Sequence, residues 1–574
     1  MYKKIYQYNW QWNIQSNPFE FWPYISDTNR FNRDIQLPKV EIIKDKNLSY
    51  ARRRLRFQKY GITVEWIEEP FEWVYPYTYR VTRNYIKGPF TSIIIEVILE
   101  PQKSGTRLTY KTTILPKNII GNLAAYIQVG VMTKSQIENV IISYDKQIQK
   151  SRSFPKTPVK MTNVALQRLE LLKQDLLDLK LAKDLVDRLV RYIEVGDRLE
   201  LGRIRPYKLA DEWGKDRRQL LELCLQSTRL GLLEFQWQLI CPMCRGAKMT
   251  SQSLAGVVST AHCDTCNLDF KTEFDKSVEL TFRPNHTIRP IEFTTYCMAG
   301  PGVTTHIYCQ QLLKPVEKRK IEPELKKGLY RLRIFGEIKG EPINIGKNGV
   351  HTLNLSNTTK RVQLYILETM LWSDQASTAA DVTSLQVYRD LFAREALRRN
   401  EQIIVGSLTI VFTDLKGSTQ LYQQIGDAVA FGLVLNHFDI LKDAISKEGG
   451  SIVKTIGDAV MAVVQHPVSA VKAMIEAQYG QKEPIILKAG IHYGPCIAVN
   501  LNDRLDYFGT TVNLAARLES LSSGKDLVIS DKIKKDPGVS EYLKKLRNLN
   551  VVPFTAQIKG FEGVDYKLWK VEKK

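Results

Sequence analysis

Two aspartates in this chain stand where an apolar run gives way to a turn. Asp414 closes the run in SLTIVFTDLKGSTQL and is followed by a glycine-containing turn and a helix start, whose backbone amides can receive a phosphate. Asp458 follows Gly457 in GGSIVKTIGDAVMAVV, which reads as a hairpin that exposes a carboxylate at a strand end. Two carboxylates at adjacent strand ends, beside a phosphate-binding turn, are what a pair of divalent ions and a triphosphate require. A third stretch, LDYFGTTVNLAARLESL at 505–521, completes the constellation.

A second group of residues suited to chemistry lies in mid-chain. Cys241-Pro-Met-Cys244 is followed after eighteen residues by Cys263-Asp-Thr-Cys266. Two such turns, each presenting two thiolates, complete a closed tetrahedral site, so the spacing points to one structural Zn²⁺ in a zinc ribbon at 236–285. Four thiolates leave no open position for water, which argues against catalytic zinc; His262, beside Cys263, is read as a bystander.

The elements that must position these residues follow from periodicity. The chain has 574 residues, about four domains at roughly 150 residues each. Residues 1–155 begin with a short helix near Phe21 and Trp22 after Asn17-Pro18. Polar and apolar residues then alternate between Gly/Pro breaks, as in an antiparallel meander, and a helical stretch follows at NLAAYIQVGVMTKSQIENVIISYDKQI. Trp10, Trp12, Trp22, Trp66 and Trp73 are read as core. Residues 161–235 repeat leucine at helical spacing and hold a helix pair turning at Trp213-Gly214, a winged-helix-like region. Residues 286–378 read as a small β-rich domain. From Thr383 one helix with Leu385, Tyr388, Phe392 and Ala396 on a stripe is expected, a dimerising signalling helix within 379–404. The catalytic unit is 405–574.

FTDLKGST, VKTIGDAVMA and DYFGTTVNLAAR resemble the class III nucleotidyl cyclase catalytic domain, over about 405–572. The fold class expected is multidomain α/β and α+β: a C-terminal ferredoxin-like cyclase core, central helical and zinc-ribbon modules, and an N-terminal domain whose pattern resembles the START-like, helix-grip type. That second resemblance implies an apolar cavity and an apolar small molecule within it. The cyclase resemblance implies that Asp414 and Asp458 bind two Mg²⁺ or Mn²⁺ per site and that Lys454 and Asp506 read adenine. It further implies that Asn513 orients the ribose, Arg517 braces the transition state and Lys559 in QIKGF contacts the terminal phosphates. The chemistry of the base-reading pair fits, since an ammonium donates to a ring nitrogen and a carboxylate accepts from the exocyclic amine, where guanine presents a carbonyl. ATP, two-metal in-line cyclisation to cyclic AMP, and a homodimer with shared sites are therefore expected. A guanylate or other nucleotide cyclase, and a nucleic-acid-binding regulator with an inactive cyclase-like module, remain as alternatives.

Charge and composition frame these readings. Hydrophobic residues make up 44% and charged residues 25%, ordinary globular usage that argues against fibrous or disordered character. The net charge is +21, unevenly spread: residues 1–160 hold 25 Lys/Arg against 13 Asp/Glu, and 401–574 hold 21 against 19. Residues 161–235 hold 14 basic and 13 acidic residues, no footprint for nucleic acid. The start MYKKIYQYNWQWN has no apolar signal core, and no run nears the ~18 apolar residues of a membrane helix, so a cytoplasmic protein without a transmembrane segment is expected.

Overall fold

The computed structural model describes residues 4–574 apart from 44, 46–47, 49–51, 60, 152–160, 243–245, 264–267, 292–294, 298–299, 338–339, 370–374, 394, 396, 398–401, 482, 525 and 562. No helix among the described residues is long and apolar enough to cross a membrane.

In the N-terminal region the strand Tyr6–Ile14 pairs antiparallel with Thr106–Pro116, and that strand pairs in turn with Phe90–Pro101 and then Thr78–Lys87. Asn17 starts the helix Pro18–Ile25 through a reciprocal cap with Glu20, satisfying amide groups that the first helical turn leaves without partners. The helix Lys134–Ser151 lies across this sheet. Tyr144 donates to Asp34 at 2.6 Å, at the end of the helix Thr28–Asp34, and Asp145 accepts from the Ser16 amide and hydroxyl, so the helix is tied to that second helix and to the turn between the first strand and Pro18–Ile25. Trp10, Trp22, Trp66 and Trp73 are buried, while Trp12 is half-buried.

Four strands of 286–378 extend the N-terminal sheet, while Lys318–Ile321 with Leu353–Ser356 and Glu324–Leu325 with Gly349–Val350 form two separate two-stranded pairs. Ile307–Leu313 hydrogen-bonds Glu72–Val74, with Cys309 opposite Val74, and the sheet runs on through Gln363–Thr369, Gly328–Ile334 and Glu341–Ile345. Twelve strands therefore form one sheet across the expected boundary, although the added strands keep an apolar cluster of their own around Leu313, Tyr330 and Leu367. Periodicity marks each strand but carries no record of which distant edge it completes.

In the middle of the chain the helices Lys183–Val195, Pro206–Trp213 and Arg217–Arg229 precede the antiparallel pair Leu233–Ile240 and Val278–Pro284, and Ile204 bridges Phe282. Gly214, at φ +62°, closes the second helix where the turn is expected. Two hairpins are inserted between the strands. Cys241 follows the strand that pairs with Ala247–Ser251, and Cys263 ends Thr260–Cys263, which pairs with Leu268–Lys271. Cys241 and Cys263 are buried, whereas Cys244 and Cys266 lie outside the described residues. Among the described residues no group of three or more His, Cys, Asp or Glu is placed to hold a metal. His262 faces Asp269 at 2.8 Å.

The helix expected from Thr383 is instead two short ones, Ala379–Thr383 and Gln386–Leu391. Thr383 and Ser384 each bond a backbone carbonyl of the preceding turn, and Leu385 is extended at ψ 133°. Such local side-chain bonds compete with helix continuation. The apolar stripe is used inside the chain: Tyr388 is 2% exposed and meets Trp237 edge to face at 6.1 Å. It is therefore not presented for dimerisation, and Ala396 lies outside the described residues.

The C-terminal unit is built on an eight-stranded sheet. Gln402–Leu415 sits centrally between Ala459–Val464 and Leu487–Leu501; Ser451–Ile456 is one edge, and Arg504–Phe508 folds back on Leu487–Leu501. The helices Asp427–Lys447 and Pro467–Gly480 cover one face, burying Val411, Val460 and Ala462. Side chains alternate across a strand, so Leu408, Ile410, Met461 and Val463 face the other way. There they share one apolar cluster with Leu220, Trp237 and Tyr388 of the upstream region.

Candidate active site

Asp414 lies next to the end of the central strand, opposite Lys488 on Leu487–Leu501. The chain then turns through Gly417, at φ +71°, into the helix Ser418–Ile425. A positive φ at this point is cheap only for glycine. Asp458 follows Gly457, at φ +65°, in the hairpin between Ser451–Ile456 and Ala459–Val464. The two carboxylates are electrostatically coupled. Burial, then the charges of Asp458 and Glu519, hold the Asp414 carboxyl above the usual carboxylate range. Asp458 Oδ2 is buried without a hydrogen-bond partner among the described residues. A buried acceptor left open beside a carboxylate that resists ionisation fits a place for a cation, which would relieve both. Lys488 is not free to play that part, since it pairs with Glu519 at 2.6 Å.

Lys454 and Asp506 come from different hairpins and meet. Lys454 Nζ lies 2.6 Å from Asp506 Oδ2; the carboxylate is 7% exposed and the ammonium side chain 34%. Asp506 Oδ1 accepts from the Tyr507 amide at 2.8 Å, and Lys454 also lies over the Phe508 ring at 5.6 Å. The pair is a donor and an acceptor side by side, with an exposed aromatic ring at their edge.

Asn513 and Arg517 both lie on the helix Thr510–Ser520, on its exposed face. Gly509, at φ +132°, precedes the helix and accepts from the Asn513 amide at 3.2 Å. Lys559 is exposed in the loop between Leu549–Gln557 and Asp565–Lys573. The fold thus joins the pair Asp414 and Asp458 and the pair Lys454 and Asp506, and leaves Asn513, Arg517 and Lys559 open to solvent.

One set of contacts is absent from the motif reading. The linker helices hold the two strands that carry Lys454 and Asp506. Gln386 Oε1 accepts from the Ile452 amide at 2.8 Å, Arg389 donates to the Leu505 carbonyl at 3.1 Å and lies over the Tyr507 ring at 5.3 Å, and the hydroxyls of Thr383 and Tyr507 are 3.0 Å apart. Thr383, Gln386 and Arg389 recur every third residue beside an apolar stripe, the one sequence signal that could have marked them. On the far side, Arg218 donates to the Lys447 carbonyl at 3.0 Å and also to that of Ser446, at the end of Asp427–Lys447, where a cation suits the helix dipole. The helix Arg217–Arg229 is accordingly packed into the protein rather than presented to a groove: Leu220, Leu221 and Leu225 are buried.

Residues 402–548 match the model of the adenylate and guanylate cyclase catalytic domain, and residues 168–312 match a family of unknown function, DUF5939. An adenylate cyclase of Lachancea kluyveri is 30% identical over 173 residues, 25% of this chain and 9% of that protein. An adenylate cyclase of Neurospora crassa is 28% identical over 153 residues, 22% of this chain and 7% of that protein. An uncharacterized protein of Mycobacterium tuberculosis is 32% identical over 128 residues, 22% of this chain and 33% of that protein. The chain thus spans a third or less of these relatives. Among solved structures, the adenylyl cyclase CyaB of P. aeruginosa aligns over 30% of this chain and 97% of its own, with 24% identity and a TM-score of 0.26.

Proposed function

We propose, from the cyclase catalytic domain that residues 402–548 form, that this chain is an adenylate cyclase converting ATP to 3′,5′-cyclic AMP and pyrophosphate. The observation that carries the choice of base is the 2.6 Å pairing of Lys454 with Asp506. In a purine pocket the ammonium donates to a ring nitrogen and the carboxylate accepts from the exocyclic amine of adenine; guanine would oppose its carbonyl oxygen to the carboxylate. The hydrogen bond that the Tyr507 amide donates to Asp506 Oδ1 fixes the plane of that carboxylate, so its second oxygen is pre-aimed.

Asp414 and Asp458 would hold two Mg²⁺ or Mn²⁺ ions, a reading supported by the open Asp458 oxygen and the raised Asp414 carboxyl. Such ions supply Lewis acidity toward the ribose 3′-hydroxyl and neutralise phosphate charge. Asn513 orients the ribose so that its 3′-oxygen faces the α-phosphorus. A bond forms between that oxygen and phosphorus, the bond from phosphorus to the bridging oxygen breaks, and pyrophosphate leaves while the hydroxyl proton is lost to solvent. Arg517 donates to the charge that grows at the α-phosphate, an interaction stronger in the transition state than in bound substrate and hence one that accelerates. Lys559 donates to the terminal phosphates. Asn513 and Arg517 are exposed in the single chain, which accords with a homodimer in which each site takes residues from both copies.

Two proposals concern the upstream regions. The N-terminal sheet closed by Lys134–Ser151 is a START-like domain. The cysteine pairs form a structural zinc site, supported by the spacing of the two Cys-x-x-Cys turns and by the place of Cys241 and Cys263 at strand ends of two successive hairpins. The catalytic reading is tested by incubating the chain with ATP, GTP, CTP or UTP and Mn²⁺ and identifying products by mass spectrometry. Cyclic AMP as the dominant product is expected. Dominant cyclic GMP would move the assignment to a guanylate cyclase, and no cyclic product would leave a non-catalytic module.

A further inference from the structure

The stretch following the last strand of the N-terminal meander is folded inside out. Residues 119–133 form a helix that widens to π geometry over Ala125–Thr133. Its large apolar side chains point away from the protein: Ile119, Ile120, Leu123, Tyr126, Val131 and Met132 are each between 57% and 84% exposed. Its inward side carries Gly121, Ala125, Gly130 and, packed against the sheet, Val129. Gly121 is buried so closely that a Cβ there would meet the Pro89 carbonyl oxygen at 2.1 Å, and one at Gly130 would meet the Tyr8 hydroxyl at 2.7 Å. Tyr8 donates to the Ala125 carbonyl at 3.0 Å, which fixes the rotation of the helix. The outward apolar face is thus set by close backbone packing, and turning the helix over would drive large side chains into spaces that fit only glycine. A globular domain with an ordinary surface does not leave such a continuous apolar strip in water.

Charge identifies what covers it. Between Glu100 and Glu138 there is no acidic residue, while Lys103, Arg107, Lys111, Lys117 and Lys134 fall in that interval, Lys111 being paired with Glu96 at 3.5 Å. Lys117 and Lys134 bracket the helix and are exposed. The Lys117 amide donates to the Pro89 carbonyl at 2.9 Å, which brings in the hairpin carrying Ile86, 38% exposed, and Lys87, 64% exposed and 4.0 Å from the buried Glu65. An apolar strip edged by lysines matches a bilayer surface with anionic headgroups, where the apolar residues enter the acyl boundary and the ammonium groups meet phosphates. A second copy of the chain fits less well, because a two-fold contact through this strip would set the same lysines against each other.

We propose that residues 119–133, with the flanking lysines and the Ile86–Lys87 hairpin tip, form a peripheral docking surface for anionic lipid bilayers. The test is co-sedimentation of the full chain with phosphatidylcholine vesicles, with and without phosphatidylglycerol. The chain should pellet with the phosphatidylglycerol vesicles, less so as salt is raised, and the double variant Leu123→Asp, Tyr126→Asp should lose the bound fraction while keeping the wild-type circular dichroism and melting temperature. Should that variant unfold, Tyr126→Trp gives an independent reading: brominated lipid in anionic vesicles should quench the added fluorescence. Wild-type chain left in the supernatant with phosphatidylglycerol vesicles, equal pelleting on neutral vesicles, or no added quenching would overturn the proposal. So would self-association that the folded double variant abolishes without any vesicle binding, which would assign the strip to a second copy.

Discussion

Lys454 Nζ and Asp506 Oδ2 are 2.6 Å apart, so the two groups proposed to read the base hold each other in its absence. Replacing them by Glu and Cys exchanges the donor and acceptor character that adenine needs for the kind that guanine presents. Lys454→Glu with Asp506→Cys should lower kcat/KM for ATP at least tenfold and narrow or reverse the preference over GTP. Unchanged ATP kinetics in this double variant would place base recognition elsewhere.

The linker contacts make a second expectation. Arg389 ties the Leu505 carbonyl and the Tyr507 ring to the linker, and Gln386 ties the Ile452 amide. A charged hydrogen bond contributes about 1.5–3 kcal/mol, so Arg389→Met should raise KM for ATP by about tenfold through a looser Lys454–Asp506 pair. Steady-state kinetics with ATP and GTP check this: the ratio between the two substrates should shrink, which simple destabilisation would not cause.

Shared sites can be tested by mixing. Asp458→Ala and Arg517→Ala chains should each be inactive alone. In a mixed dimer one site collects both lesions, while the other takes Asp458 from one copy and Arg517 from the other. Random pairing makes about half the dimers mixed with one good site of two, so roughly a quarter of wild-type activity should return. Subunit exchange without recovered activity would mean that each site lies within one chain.

Stability should fall in mild acid through His492. Burial, then the charge of Lys532, push its imidazole from the ordinary 6.5 down to about 4, and its Nδ1 faces the Ser530 hydroxyl at 2.8 Å. Below pH 6.5 the unfolded chain takes up a proton that the folded chain refuses until pH nears 4, so stability drops across that window. The loss between pH 7 and pH 5 is roughly 2 kcal/mol. Urea unfolding at both pH values should show a smaller loss in His492→Gln than in the natural chain.

The proposed zinc site predicts about one Zn²⁺ per chain in protein purified without chelators. Cys263→Ser should lower the metal content and the melting temperature of the central region while Asp414 and Asp458 stay in place. Elemental analysis that finds no zinc would remove the site.

Much of the catalytic unit was legible in the sequence because its information is local. An apolar run ending at Asp414, a Gly-Asp hairpin at 457–458 and a helix carrying Asn513 and Arg517 each depend on neighbours within a few residues, and each element is found as read. The burial of Trp10, Trp66 and Trp73 follows from alternation along their strands, and that of Trp22 from the inward face of the helix Pro18–Ile25. Other features depend on which surfaces meet. The strand Ile307–Leu313 alternates buried and half-exposed residues whether it closes a separate domain or extends the sheet at Glu72–Val74, and only the free hydrogen-bonding edge of that distant strand decides. Leu385, Tyr388 and Phe392 are spaced for one helix, yet the side-chain bonds of Thr383 and Ser384 and the pocket beside Trp237 break it in two. The grip of Thr383, Gln386 and Arg389 on the base-reading strands lies beyond local reading for the same reason: hydrogen bonds between segments more than sixty residues apart exist only once the apolar faces between them have packed.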